Sequence, residues 1–166
     1  MDNEPSIRPS DYEIAYAGES EWEEAMQLAW RTFLKFEAGE YGKVGTKNFF
    51  NFITGDLLRQ MFLAGSYRLA VAKIEGEIVG IASLRGERHI SLLFVDERFH
   101  RQGIGTALLA FLQKDVIRNG NCVMSVNAAP YGVPFYEKIG FTATSDLQMA
   151  DGITFVPMIC LSEIIV

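Results

Sequence analysis

One segment of the chain combines glycines with a strand-to-helix transition. It reads His100-Arg101-Gln102-Gly103-Ile104-Gly105-Thr106 and follows an apolar run at residues 89–95 that is typical of a strand. Apolar residues then recur at the three-and-four spacing of an amphipathic helix, at Ile104, Ala107, Leu108, Phe111 and Leu112. Glycines in such a turn let backbone N–H groups surround an anion, and the helix N-terminus adds unpaired donors and the positive end of its dipole. The segment therefore predicts a site for a phosphate or pyrophosphate.

Two common nucleotide-binding loops do not match this segment. The dinucleotide fingerprint requires a third glycine three residues after Gly105, where the chain has Leu108. A Walker loop ends in Gly-Lys-Ser/Thr, and that triplet does not occur in the sequence. The spacing thus argues against an NAD-type loop and against an ATP-type loop.

The segment instead resembles the pyrophosphate loop of the GNAT acetyltransferase superfamily, Gln/Arg-x-x-Gly-x-Gly/Ala. A second resemblance follows downstream, where residues 127–141 read Asn-Ala-Ala-Pro-Tyr-Gly-Val-Pro-Phe-Tyr-Glu-Lys-Ile-Gly-Phe. This stretch is similar to the family's Asn-containing strand end followed by Phe-Tyr-Glu-Lys-Leu-Gly-Phe. The two segments occur in the family's order, and the resemblance extends over about residues 69–141. The chain is identified on these motifs as a single GNAT N-acetyltransferase domain over residues 1–166.

The resemblance implies that acetyl-CoA is the co-substrate and that the loop holds its pyrophosphate. The residues implied in this contact are His100, Arg101, Gln102, Gly103, Ile104, Gly105 and Thr106, mainly through backbone N–H groups. The backbone of Phe94 and Val95 would pair with the pantetheine arm as an added strand, and Asn127 would bond the arm or the cofactor from the other side. His100 stands where the family usually has Gln or Arg, and Arg101 where it often has Gly. Since the implied contacts are mainly backbone contacts, both departures are expected to be tolerated.

Catalysis requires a proton donor for the leaving thiolate and a route for the proton of the attacking amine. Tyr136, in the second motif, is the predicted acid, because a phenol with an ordinary pKa near 10 is protonated at neutral pH. Many relatives are thought to use a Glu on the strand before the loop, but residues 90–93 read Ile-Ser-Leu-Leu. Three readings stay open: water bridged from Ser91 or His89; a group that closes over the acceptor, namely Glu37, Glu40 or Tyr41; or direct binding of the neutral amine. Glu37, Tyr41 and Ser91 are the candidate substrate residues.

Composition limits the remaining possibilities. The net charge of −6 argues against a nucleic-acid partner and favours an amine acceptor on a small molecule or peptide. Two cysteines and two histidines lack metal-ligand spacing, so no metal site is predicted. No apolar run approaches a membrane span, and the start of the chain lacks the plan of a signal peptide. We expect a cytoplasmic enzyme and, by family analogy, a possible homodimer. The missing strand carboxylate keeps a non-catalytic acyl-CoA-binding or sensing module as the alternative.

The elements that must position these residues follow from the pattern of the chain. Strands are predicted at residues 12–16, 67–74, 78–84, 89–95, 122–126 and 153–159, with another after Phe141. Helices are predicted after a capping box at residues 20–23, over 49–62, after the loop as far as residue 119, and over 133–138. A glycine-rich break is expected at residues 39–45, and Pro157 predicts an edge or bulge. This order favours an α/β fold in which a mixed sheet carries helices on its faces. The resemblance implies a GNAT-like, mostly antiparallel sheet of about seven strands with helices on both faces, splayed between strands 4 and 5.

Overall fold

The computed structural model describes residues 6–164, and its sheet opens between two neighbouring strands. The strands are β1 (Glu13–Tyr16), β2 (Tyr67–Ile74), β3 (Glu77–Arg85), β4 (His89–Val95), β5 (Met124–Ala128), β6 (Thr142–Ala143), β7 (Gln148–Ala150) and β8 (Ile153–Cys160). The helices are α1 (Trp22–Phe36), α2 (Ala38–Thr54), α3 (Asp56–Leu63), α4 (Ile104–Arg118) and α5 (Val133–Lys138). The strand order is β1-β2-β3-β4-β5-β8-β6, with β7 also paired to β8. This arrangement confirms the predicted mixed sheet.

The eight strands exceed the expected seven because the strand predicted after Phe141 is divided into β6 and β7. Every strand pair is antiparallel except β4 with β5. That parallel pair is short, since only His89 with Ser125 and Ile90 with Val126 are in register. Beyond Ile90 the two strands separate, which confirms the predicted splay. The separation leaves the C-terminal half of β4 with one edge open.

Helices cover both faces of the sheet and form two apolar cores. Leu108, Leu109 and Leu112 of α4 pack on one face with inward residues of β2 to β5. Residues of α1, α2 and α3 pack on the opposite face, where Phe33 and Phe49 stack with ring centroids 4.1 Å apart. The two cores hold α4 and the α1–α2 pair at fixed positions on opposite sides of the open β4 edge.

Three local predictions differ from the structure. The glycine-rich break is helical: α2 begins at Ala38, and only Gly42, with φ 68° and ψ −172°, interrupts it as a kink. The predicted second helix is divided at Gly55, which separates α2 from α3. The predicted Ser20 cap is replaced by a bond in which Gly18 N donates to Glu21 Oε1 at 2.9 Å, because a turn of 3₁₀ helix precedes α1.

Pro157 also has an unexpected setting, because β8 is an interior strand between β5 and β6. Its carbonyl accepts a hydrogen bond from Thr144 N at 2.9 Å, just beyond the residues of β6 that pair with β8. The proline is tolerated there because β6 ends at Ala143, so the missing N–H falls where the ladder between β6 and β8 stops.

No helix among residues 6–164 is long and apolar enough to cross a membrane.

Gly80 of β3 lies under the first turn of α4. A Cβ at this position would lie 3.0 Å from Ile104 Cγ2 and 3.1 Å from Leu108 Cδ1. We expect Gly80→Val to push that turn outward and to lower the free energy of unfolding by about 1–3 kcal/mol. Denaturant titration measures the loss, with Gly80→Ala as a graded control of smaller effect. Equal stability of all three proteins would contradict this packing.

Candidate active site

The predicted anion loop ends at the first turn of α4. Gly103 adopts the left-handed conformation, with φ 85° and ψ 1°, which glycine reaches without steric cost. No side chain caps the helix, and its first hydrogen bond runs from Ala107 N to Gly103 O at 3.0 Å. The amides that precede Ala107 in the helix therefore have no intrahelical acceptor, as at any helix start. This cradle of donors at the positive end of the helix dipole fits a pyrophosphate.

Two polar side chains of the loop are held by other parts of the protein. His100 Nε2 lies 2.6 Å from Val95 O, and its ring centroid lies 4.9 Å from that of Phe36. Gln102 Oε1 accepts a hydrogen bond from Ile7 N at 3.1 Å. The side chains of His100 and Gln102 thus stabilise the loop itself, and neither is assigned to the ligand.

The open edge of β4 exposes the backbone of alternate residues. Asp96 N donates to Val79 O at 2.8 Å, and Gly80 pairs with Val95 and Ile81 with Phe94. Because successive residues of a strand point their N–H and C=O groups to opposite sides, those of Phe94 face β3 and those of Leu93 and Val95 face the opening. The backbone groups of Phe94, predicted to pair with the ligand, are therefore directed to β3, and those of Leu93 lie at the opening instead. Strand alternation, which can be read from the sequence, would have separated Phe94 from Val95.

Tyr136 of α5 is 6% exposed and packs between the rings of Phe135 and Phe141, with centroids 5.2 Å from its own in both cases. Burial raises the pKa of its phenol above 10, and the nearby Glu37 and Tyr41 raise that pKa further. The Tyr136 hydroxyl has no hydrogen-bond partner among the described residues. Every fully buried side-chain N or O atom of those residues does have a partner, so this hydroxyl is not fully buried. The hydroxyl therefore reaches accessible space as a protonated donor.

Glu37 and Tyr41, predicted as candidate substrate residues, lie where α1 passes into α2. Burial, followed by the charge of Glu40, raises the pKa of Glu37 to about 7. Burial and the two carboxylates also raise the pKa of Tyr41, whose ring centroid lies 5.0 Å from that of Phe33. Because the charges of Glu37 and Tyr41 raise the pKa of Tyr136, the three groups lie in one region of the protein. A carboxylate that titrates near neutrality beside a protonated phenol is suited to proton exchange in both directions.

Glu40 contributes to this arrangement by holding the start of α2 near α5. Its Oε2 accepts a hydrogen bond from Tyr131 N at 3.3 Å, in the turn that leads into α5. The ring of Tyr131 in turn lies 5.6 Å from that of Phe36 at the end of α1. These contacts join two segments of the site that are about ninety residues apart in the chain.

The other candidates for a base are held by the protein. Ser91 Oγ accepts a hydrogen bond from Tyr67 OH at 2.9 Å, and that hydroxyl is also bonded to Ser83 Oγ at 2.7 Å. His89 Nδ1 lies 2.9 Å from Ser125 Oγ, where β4 and β5 are still paired. Burial, with Arg85 and Arg88, lowers the pKa of His89. The structure thus gives these residues bonds within the sheet, whereas the charges of Glu37 and Tyr41 act on the pKa of Tyr136.

Asn127, predicted to bond the cofactor, is exposed on β5 between two buried neighbours, Val126 and Ala128. Those neighbours pack on the α4 face, so the Asn127 side chain points to the face that carries α1 and α2. Its backbone is in register with Pro157 of β8. The side chain remains available to a ligand in the opening.

The chain resembles known proteins in its sequence family and in its fold. The family model of the acetyltransferase (GNAT) domain matches residues 37–162. The chain resembles the crystal structure of a GCN5-related N-acetyltransferase from Rhodopseudomonas palustris, with TM-score 0.81 and 19% identity over 94% of this chain and 99% of that one. It also resembles the PaiA N-acetyltransferase of Thermoplasma acidophilum in complex with coenzyme A, with TM-score 0.74 and 17% identity over 91% and 99% of the two chains. No curated protein sequence matches the chain.

The solved structures establish the fold, and the family model covers most of the chain, including the loop, the open strand edge and Tyr136. The chain therefore belongs to the GNAT acetyltransferase family, whose co-substrate is acetyl-CoA.

Proposed function

We propose that the protein is an N-acetyltransferase that moves the acetyl group of acetyl-CoA to a primary amine of a small molecule or peptide. The observation that carries this proposal is that Glu37, whose pKa is about 7, lies close enough to the protonated Tyr136 for its charge to raise the Tyr136 pKa, where a hydrogen bond from Tyr131 to Glu40 joins α2 to the turn before α5. A proton acceptor and a proton donor are the two groups that amine acetylation requires. The net charge of −6 further favours an amine as the acceptor.

The loop and the open strand edge would hold acetyl-CoA. The backbone amides from Arg101 to Thr106 would bind its pyrophosphate at the start of α4, as the resemblance of the sequence motif implies. The backbone groups of Leu93 and the N–H of Val95, whose carbonyl oxygen already lies 2.6 Å from His100 Nε2, would pair with the amide groups of the pantetheine arm as an added strand. The coenzyme A bound to the structurally similar Thermoplasma protein supports this use of the fold.

Acetyl-CoA supplies the acetyl group as an activated thioester. In the proposed reaction Glu37 accepts a proton from the acceptor nitrogen while the C–N bond forms. Tyr136 donates its phenolic proton to the sulfur as the C–S bond breaks, which gives the amide and CoA thiol. The proton that Glu37 has taken returns to Tyr136 through water after the products leave, so both groups recover their starting states.

Burial tunes both groups for these roles. A base whose pKa lies near the working pH combines a large ionised fraction with useful basicity, and the raised pKa of Glu37 meets this condition. A phenol whose pKa is raised stays protonated throughout the physiological range. The third reading of the sequence, direct binding of a neutral amine without a base, differs in predicting that removal of Glu37 has no effect.

Binding of acetyl-CoA tests the cofactor part of the proposal. Calorimetry should detect acetyl-CoA in preference to ATP and NAD. In Gly103→Glu this binding should weaken at least ~100-fold, because the substitution strains the left-handed backbone and adds a negative charge at the phosphate. Lys114→Glu, an equal charge change on the exposed face of α4, is the matched control. Retained affinity in Gly103→Glu would contradict the assigned loop.

Turnover separates the enzyme from the alternative, a non-catalytic acyl-CoA-binding or sensing module. CoA release measured with a broad panel of primary amines should identify an acceptor. Tight binding of acetyl-CoA without release for any amine would favour the sensor. Light scattering and fractionation would test the remaining expectations, a homodimer and a cytoplasmic location.

A further inference from the structure

Arg101 differs from its polar neighbours in the loop because it has no partner within the described part of the chain. Arg98 donates to Glu77 Oε1 at 2.6 Å and to both carboxylate oxygens of Asp96 at 3.0 Å. His100 and Gln102 are held by backbone groups, as described above. The Arg101 side chain is exposed and forms no hydrogen bond or ion pair with residues 6–164. It is the unused cation of the anion loop.

The backbone of Arg101 is also strained. Its φ of 61° places it in the left-handed region, which costs a residue with a Cβ roughly 1–2 kcal/mol and costs glycine nothing. The loop would therefore be more stable with glycine at this position. The presence of arginine at position 101, where the backbone conformation favours glycine, is explained if its guanidinium binds a ligand of the loop.

Acetyl-CoA carries one phosphate group that the backbone amides of the loop are not assigned to bind. Besides the pyrophosphate it carries a 3′-phosphate on the ribose, and a phosphate monoester bears about −1.5 to −2 charges at neutral pH. An arginine binds such a group through two parallel N–H···O bonds, which a backbone amide cannot supply. We propose that the Arg101 guanidinium binds the 3′-phosphate of acetyl-CoA and makes the protein select CoA over dephospho-CoA. This inference rests on the proposed use of the loop for acetyl-CoA.

Affinity for two ligands that differ only in this phosphate tests the inference. Calorimetry would give Kd for CoA and dephospho-CoA with the natural protein, with Arg101→Gln and with Arg101→Gly. We expect CoA to bind about tenfold more tightly than dephospho-CoA to the natural protein, the value of one exposed charge-assisted contact. In both variants the ratio should fall to about one because CoA weakens, while the Kd of dephospho-CoA stays unchanged. Lys114→Gln is the control with an equal loss of charge and an unchanged ratio.

Thermal unfolding separates the effect of losing the Arg101 charge from the effect of relieving its backbone strain. Arg101→Gly removes both the charge and the left-handed penalty, so its Tm should exceed that of Arg101→Gln by a few degrees in the absence of ligand. The two variants should nevertheless lose the same selectivity. A variant that is more stable yet binds CoA less well excludes general damage to the loop as the cause.

Three outcomes would overturn the inference. An equal loss of affinity for CoA and dephospho-CoA would assign Arg101 to the pyrophosphate. An unchanged ratio in both variants would leave the guanidinium without a role in binding. Failure of the natural protein to bind either ligand would overturn the proposed function together with this inference, whereas the first two results leave the proposed function intact.

Discussion

Glu37→Gln is expected to lower kcat for amine acetylation by about 10²–10³-fold, the usual contribution of a general base. The substitution keeps the size of the side chain and removes its ability to accept a proton. Binding of acetyl-CoA should be unchanged, because the groups assigned to its pyrophosphate are backbone amides at the start of α4 and not the Glu37 carboxylate. CoA release under saturating acetyl-CoA measures the effect. Glu23→Gln, an exposed carboxylate in the first turn of α1, is the matched control.

The pH profile gives this prediction a second readout. A base acts in its deprotonated form, so activity should rise with pH through the Glu37 pKa of about 7. Glu40 contributes to that raised pKa through its charge. In Glu40→Gln the rising limb should therefore move to lower pH, and in Glu37→Gln it should disappear. A limb that persists unchanged in Glu37→Gln would assign the titration to the acceptor amine and contradict the role of Glu37.

Stability should change in the opposite direction to activity. The pKa of Glu37 is higher in the folded protein than the ordinary 4.5, so the folded state retains a proton that the unfolded state has lost between those values. Stability therefore declines as pH rises from about 4.5 to about 7. Glu37→Gln should be more stable than the natural protein by about 1–2 kcal/mol at about pH 8, after allowance for partial exposure, and similar to it at about pH 4. Denaturant titrations at the two pH values check this sign.

Tyr136→Phe is expected to lower kcat by about 10²-fold or more, because the substitution removes the proton donor for the leaving thiolate. The ring and its contacts with Phe135 and Phe141 remain, so stability should change little. The hydroxyl has no hydrogen-bond partner among the described residues, so its loss leaves no buried group unpaired. The expected result is therefore a large kinetic effect with a small structural one.

A thioester with a better leaving group should reduce this deficit, since a less basic thiolate needs less protonation. Tyr12→Phe, which alters a partly buried phenol just before β1, is the control for loss of a hydroxyl. Turnover of Tyr136→Phe equal to that of the natural protein would remove Tyr136 from the mechanism. Unchanged turnover in both Tyr136→Phe and Glu37→Gln would favour direct attack by a bound neutral amine.

The bounds of β4 could be predicted from the sequence, whereas those of the α1–α2 segment could not. The bounds predicted for β2, β4 and α5 agree with the structure because each has a short, self-contained pattern of apolar residues ended by turn residues. The glycines at residues 39–45 predicted a break, yet α2 continues through them with one kink at Gly42. The packing of Phe49 and Ile53 in the core outweighs the low helix propensity of these glycines.

The amino-acid sequence by itself determined the family, the mixed sheet and the glycine turn that begins α4, because these depend on glycine spacing and on local periodicity. Tertiary structure alone decided which candidate base affects the pKa of Tyr136. Glu37 acquires a pKa of about 7 because it is buried and lies near the charge of Glu40, and Glu40 is in turn bonded to Tyr131, far along the chain. It also decided that Leu93, not Phe94, faces the opening, because the register with β3 sets which amides are already paired. Desolvation and strand register arise from contacts between distant segments, and a linear pattern does not contain them.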